Sequence, residues 1–190
     1  MLFRSLKTKF STKPQVSFEH RLHIGIVGGI NHAKGAAIVA GIAALIEKAD
    51  DGTTLSVIGL YDGWLSGKHL RVTGPYIPEQ LPHLLSDLGV NMCFLPSIWP
   101  ETYSFVTSEL INLGMPLCVF DLGAPAERVR GYEKGCVIET VDPGDALQTM
   151  RRFYESLRNG AVGFPAANYQ ALASTRNVRL YDSSRNPRSE

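Results

Sequence analysis

The sequence predicts an α/β fold, a doubly wound and mostly parallel sheet with helices on both faces. Short apolar runs alternate with stretches of helical periodicity along most of the chain. The first such run empties into a glycine pair and then a helix, and turn residues separate the units that follow. Length and composition agree with one packed domain. Of 190 residues, 44% are hydrophobic and 19% charged, enough apolar matter for one core and too little charge for a disordered polyelectrolyte.

The elements follow in order. Residues 1–20 are basic and rich in Ser and Thr, with weak apolar periodicity, and read as a linker or arm. Leu22–Val27 is a buried strand that ends in Gly28-Gly29. From Gly35 to Lys48, Ile38, Val39, Ile42, Leu45 and Ile46 recur at helical spacing. Thr53–Leu60 and Leu70–Val72 read as strands, Glu79–Leu88 as a helix, Asn91–Leu95 as a strand and Glu101–Leu113 as a helix. Leu117–Phe120 and Cys136–Ile138 are further strands. Asp142 and Pro143 supply an N-cap and a first-turn proline for a helix through Leu157, stopped by Asn159-Gly160. The domain therefore runs over 21–159, and 160–190 is a tail rich in Asn, Ser and Arg. In such a sheet, ligands bind beyond the carboxyl ends of the strands. The loops Gly28–Lys34, Thr73–Pro78, Pro96–Pro100 and Asp121–Glu127 are expected to gather there.

Charge and cysteine usage narrow the function classes. Nineteen Lys and Arg against eighteen Asp and Glu leave a net charge of +1, which disfavours nucleic acid as a partner. Cys93, Cys118 and Cys136 are too few for a disulfide scaffold and read as buried free thiols, consistent with a cytoplasmic protein. The alanine-rich stretch from Gly35 to Ile46 falls short of the ~20 residues that span a bilayer, so no transmembrane segment is expected. The cysteines lack paired spacing, and neither His20/His23 nor His69/His83 joins them into a metal motif.

Two segments carry candidate chemistry. Val27-Gly-Gly-Ile-Asn-His-Ala-Lys-Gly35 joins a strand to a helix, where free amides and the helix dipole favour an anion and Lys34 adds a mobile charge. The ordinary alternative is a tight turn with a solvated lysine. Neither the Lys-Ser/Thr of a P-loop nor the Gly-x-Gly-x-x-Gly of a dinucleotide site is present. In the second segment, Phe94 to Pro116, Glu101 and Glu109 stand eight positions apart. Two helical turns would set them on neighbouring parts of one face. Glu101 would sit at the helix start, where the amides of Thr102, Tyr103 and Ser104 are free; a plain capping charge is the alternative.

Together these segments resemble the C-terminal, nucleotide-sugar-binding domain of a group 1 glycosyltransferase of GT-B fold. The resemblance rests on Glu101-x7-Glu109 with its Pro-Ser-x-x-Pro-Glu-Thr-Tyr-Ser lead-in, on Gly114-Met-Pro116, on Asp121-Leu-Gly-Ala-Pro-Ala-Glu-Arg128, and on Val27-Gly28 with Lys34-Gly35. It covers residues 22–158. It implies a retaining hexosyl transfer in polysaccharide or glycoconjugate biosynthesis, with a nucleotide-sugar as substrate and no metal or other cofactor. Carried over by position, Lys34 binds the donor diphosphate, Glu109 the ribose, and Glu101 the hydroxyls of the transferred sugar. Lys34 and Glu101 are the catalytic candidates. The resemblance implies that Gly28, Gly29, Tyr76, Thr102, Tyr103 and Ser104 complete the donor site, with Tyr76 at the base; loop packing is the alternative for this proline-flanked tyrosine.

The chain departs from the family at Gly29, where many members carry an arginine for the diphosphate; His32 and Arg128 are the available substitutes. Trp64 and Trp99 offer packing or sugar stacking, with packing favoured for Trp64. One domain provides only half of a GT-B cleft, so the resemblance implies an acceptor-binding domain or subunit elsewhere, an isolated chain that transfers little, and room for peripheral membrane association of the full enzyme. A non-catalytic nucleotide-binding module and a dinucleotide-binding protein are the competing readings.

Overall fold

The computed structural model describes residues 10–160; residues 1–9 of the linker or arm expected over 1–20, and residues 161–190 of the tail expected over 160–190, lie outside the described residues. Six strands form one all-parallel sheet: β1 (His23–Val27), β2 (Thr54–Ile58), β3 (Leu70–Val72), β4 (Met92–Leu95), β5 (Leu117–Phe120) and β6 (Gly135–Ile138). Their order is β3-β2-β1-β4-β5-β6. The chain winds outward from β1 to β3, returns to the centre at β4 and winds outward again, so the switch point lies between β1 and β4.

Period-2 alternation along these strands feeds two apolar layers. Ile24, Ile26, Leu55, Val57, Met92, Phe94, Cys118 and Phe120 face α1 (Ala36–Ala49) and α5 (Pro143–Arg158), meeting Ile38, Val39, Ile42 and Ile46 from the first and Met150 and Phe153 from the second. Phe94 and Phe120 pack edge to face at 5.2 Å within this layer. On the other face Val27, Ile58, Cys93, Leu117, Val119 and Val137 meet α2 (Leu81–Asp87), α3 (Phe105–Asn112) and α4 (Gly123–Arg130). All three cysteines are buried, and none is in a disulfide. Among the described residues, no helix is long and apolar enough to cross a membrane.

The described part of the N-terminal arm lies on the domain. Pro14 is buried, Phe10 and Val16 pack against one apolar layer, and Phe18 packs against the other with its ring tilted against that of Tyr154. The Tyr154 hydroxyl donates to the backbone carbonyls of Phe18 and His20, stitching the arm to α5.

Three expectations need correction. The segment Glu101–Leu113 is helical only from Phe105, because Ser104 is the N-cap and its hydroxyl accepts from the amide of Thr107. Glu101 thus stands in a loop, and the two glutamates do not share a helix face. The helix expected over Glu79–Leu88 opens as a 3-10 turn at Pro78–Gln80 and becomes α-helical at Leu81. The stretch Asp121–Glu127, expected as a loop, is mostly the first turns of α4, whose Pro125, Ala126 and Val129 are buried against the sheet.

Candidate functional site at the sheet switch point

The loops after β1 and β4 meet at the carboxyl edge of the sheet, and backbone bonds fix both. After β1, the Gly28 amide donates to the carbonyl of Ile58, and Ile30 exchanges hydrogen bonds with the chain at Leu60 and Asp62. Asn31 then closes the turn: its side-chain oxygen accepts from the Lys34 amide at 3.0 Å and its carbonyl from the Ala36 amide at 3.0 Å. Gly35 caps α1 at φ 79° without any side-chain cap. The segment after β4 lies directly over this turn. Ile98 donates its amide and Ser97 its hydroxyl to the carbonyl of Ala33, at 3.1 and 3.3 Å. The fit is close enough that a Cβ on Gly35 would stand 2.0 Å from the Pro96 carbonyl oxygen.

This zippering brings two side chains from distant parts of the sequence together. Lys34 Nζ lies 2.7 Å from Glu101 Oε1, with side chains 41% and 18% exposed. The backbone of Glu101 is held from the other side by α4: the Ala124 amide donates to its carbonyl at 2.9 Å. Gly123, at φ 58°, is needed for that approach, since a Cβ there would lie 2.6 Å from the same carbonyl oxygen. Farther along the loop, Arg128 donates to the Ser104 carbonyl at 3.2 Å and lies over the Tyr103 ring. Tyr103 in turn packs edge to face on Phe105, and its hydroxyl pairs with that of Ser108. Sequence reasoning missed α4 and hence the support it gives Glu101. The apolar spacing of Pro125, Ala126 and Val129 was the signal available.

The other candidate residues divide by position. Thr102 and Tyr103 are exposed loop residues, while Ser104 is buried as the cap. The amides left open by helix geometry are therefore those of Phe105 and Val106, at the start of α3. Glu109 lies one helical turn beyond Phe105 on α3 and is 5% exposed, an acid held at the apolar layer. Gly28 faces Val106 of α3, whereas a Cβ on Gly29 would meet nothing within 4 Å. His32 is exposed, and its carbonyl closes the turn at Gly35. Tyr76 stands apart, beyond the end of β3, where it lines a hollow of about 370 Å³ with Thr73, Pro75, Glu79 and Gln80. Trp64 and Trp99 are 87% and 60% exposed at the same edge of the sheet, so the packing expected for Trp64 is not formed among the described residues.

Chemically, the switch point presents a flexible cation, a partly screened carboxylate and a helix start with open amides. That arrangement can hold an anion beside a hydroxyl-bearing group. Nearby, burial raises the Tyr61 hydroxyl above its ordinary range, and that hydroxyl donates to the Ala36 carbonyl at the head of α1.

No protein-family model and no curated protein matches the sequence. Solved structures do match by fold. TarM aligns with a TM-score of 0.57 at 16% identity, over 78% of this chain and 32% of that one. HepE from Anabaena, in complex with UDP-glucose, aligns with a TM-score of 0.57 at 16% identity, over 84% of this chain and 45% of HepE. Sucrose-phosphate synthase from Thermosynechococcus elongatus aligns with a TM-score of 0.52 at 18% identity, over 85% of this chain and 47% of the synthase. The chain thus spans less than half the length of each of these proteins. The likeness is one of fold: a Rossmann-like α/β unit with an all-parallel sheet, matching one half of GT-B glycosyltransferase structures.

Proposed function

We propose that this chain is the donor-binding half of a retaining glycosyltransferase, which takes a nucleotide-sugar as substrate and works with an acceptor-binding domain or subunit. One observation carries the reading. Lys34 and Glu101, which the sequence resemblance assigns to adjoining parts of one donor, stand 2.7 Å apart at the switch point of the sheet. The fold and the presence of UDP-glucose in the matched HepE structure support it.

In this reading the diphosphate lies between Lys34 and the first amides of α3, and Glu101 accepts hydrogen bonds from hydroxyls of the transferred sugar. Glu109 accepts from the ribose, and Tyr76 lines the base side. As the glycosidic bond to the diphosphate breaks, negative charge grows on the leaving oxygen, and the Lys34 ammonium with the oriented amides of α3 stabilises it. Lys34 and the helix amides supply that positive potential without a metal ion. Retention places the attacking acceptor hydroxyl on the same face of the sugar as the leaving diphosphate. Half of the cleft lies outside this domain, and positioning accounts for ~7–11 kcal/mol of such a barrier, so the chain alone transfers little sugar.

A second reading, a nucleotide-sugar-binding module without catalysis, draws on Gly29, where the family's arginine is absent and the surrounding space is open. The strand order is also that of dinucleotide-binding proteins, although the glycine fingerprint is absent. A thermal-shift panel of UDP-, GDP- and ADP-sugars against NAD, NADP and FAD separates these readings. Stabilisation by a nucleotide-sugar supports donor binding, and stabilisation by dinucleotides alone overturns it. Sugar transfer on addition of the acceptor-binding half distinguishes enzyme from module.

A further inference from the structure

The pair formed by Lys34 and Glu101 has a consequence for which ligand the site prefers, and the inference rests on the donor-binding reading above. Both backbones are anchored: Lys34 by the Asn31 side chain, Glu101 by the Ala124 amide. The two side chains close on each other at 2.7 Å, with the carboxylate the more sheltered partner. An anion arriving at Lys34 therefore meets a carboxylate already within hydrogen-bond reach of its binding cation. A free nucleoside diphosphate has to break the pair and leaves Glu101 facing added negative charge with nothing to accept from. A nucleotide-sugar breaks the same pair but brings hydroxyl donors that can take the place of the ammonium.

We infer that Glu101 sets the selectivity of the site for intact donor over free nucleoside diphosphate, by competing with the diphosphate for Lys34. The same competition drives product release. Once the sugar has left with the acceptor, Glu101 loses its hydroxyl partners and recaptures Lys34, which loosens the diphosphate left behind.

Calorimetric titration of UDP with UDP-glucose, GDP with GDP-mannose and ADP with ADP-glucose tests this on the wild-type chain, Glu101→Gln, Lys34→Met and the double variant. Glu101 is held through its backbone, so the glutamine variant is expected to fold, and its melting curve checks that. A partly exposed ion pair contributes ~0.2–1 kcal/mol, so removing it tightens diphosphate binding by about 1.4- to 5-fold. The sugar nucleotide weakens in the same variant, and the preference for it shrinks. In the Lys34→Met background, the glutamine substitution no longer tightens the diphosphate. Unchanged or weaker diphosphate binding by Glu101→Gln overturns the inference, as does tightening that persists without Lys34. Binding of none of the six ligands, or wild-type diphosphate affinity in Lys34→Met, instead overturns the donor-site reading beneath it.

Discussion

Replacing Gly35 with alanine strikes the joint on which the whole switch-point geometry depends. The residue sits at φ 79°, in the left-handed region, and the added Cβ would lie 2.0 Å from the Pro96 carbonyl oxygen. The clash is with backbone, so no rotamer relieves it. Strain of this kind costs ~1–3 kcal/mol. Moving the segment after β4 away also weakens the bonds from Ile98 and Ser97 to Ala33, each ~0.5–1.5 kcal/mol. Gly35→Ala should therefore destabilise the domain by roughly 2–5 kcal/mol, or ~5–20 °C in melting temperature for a chain of this size. The control is Gly29→Ala, six residues earlier in the exposed turn, with nothing within 4 Å of its Cβ, and it should stay within ~0.5 kcal/mol of wild type. Thermal melting and urea midpoints of the three proteins measure this. A Gly35→Ala protein that melts within ~2 °C of wild type would refute the close approach of the two loops.

Three further outcomes are expected. Gly29→Arg fits the open space without strain and adds a cation beside the turn; nucleoside diphosphate should bind it more tightly, by up to ~10-fold in calorimetry at low salt, and looser binding would count against a diphosphate in that loop. Glu109→Ala should weaken both nucleoside diphosphate and its sugar by roughly 10- to 150-fold, the loss of a charge-assisted hydrogen bond of ~1.5–3 kcal/mol; a loss confined to the sugar would reassign the residue. His23 gives a pH signature unrelated to the site. Burial lowers its pKa, against a smaller opposing contribution from a backbone hydrogen bond at Leu88, and its Nε2 faces the Ser56 hydroxyl at 2.8 Å. The unfolded chain takes up the proton first, near pH 6.5, so stability is full above that pH and falls as pH drops toward the lower folded value. Urea midpoints between pH 7.5 and 5.5 should show this slope, and His23→Gln should reduce it.

Much of the fold was legible because its signals are local. The strands at Leu117–Phe120 and Leu70–Val72 were readable from apolar runs, and the start of α5 from the Asp142 cap, whose carboxylate accepts from the amides of Gly144 and Asp145. The start of α3 was misplaced because Pro100-Glu101 imitates a helix opening. The deciding contacts are Ser104 with Thr107 and Ala124 with Glu101, and the second of these spans two elements. Helix α4 was missed because Gly123 and Pro125 read as breakers. Yet a proline is tolerated in a first turn, and Gly123 lets the loop at Glu101 come close. The spacing of Glu101 and Glu109 predicted one shared helix face, whereas the N-cap at Ser104 leaves Glu101 in the loop before α3. The meeting of Lys34 with Glu101 depends on β1 and β4 being neighbours, a property of topology that no short window of sequence carries.

On the proposed function, Lys34 and the head of α3 bind the diphosphate of a nucleotide-sugar without a metal ion. Calorimetric titration of nucleotide-sugars into the chain, with EDTA present and with Lys34→Met alongside, tests it most directly. Binding should be saturable, with one site, indifferent to the chelator and roughly 10- to 150-fold weaker in the variant. Binding that disappears with EDTA, or that is the same in Lys34→Met as in the wild type, would contradict it.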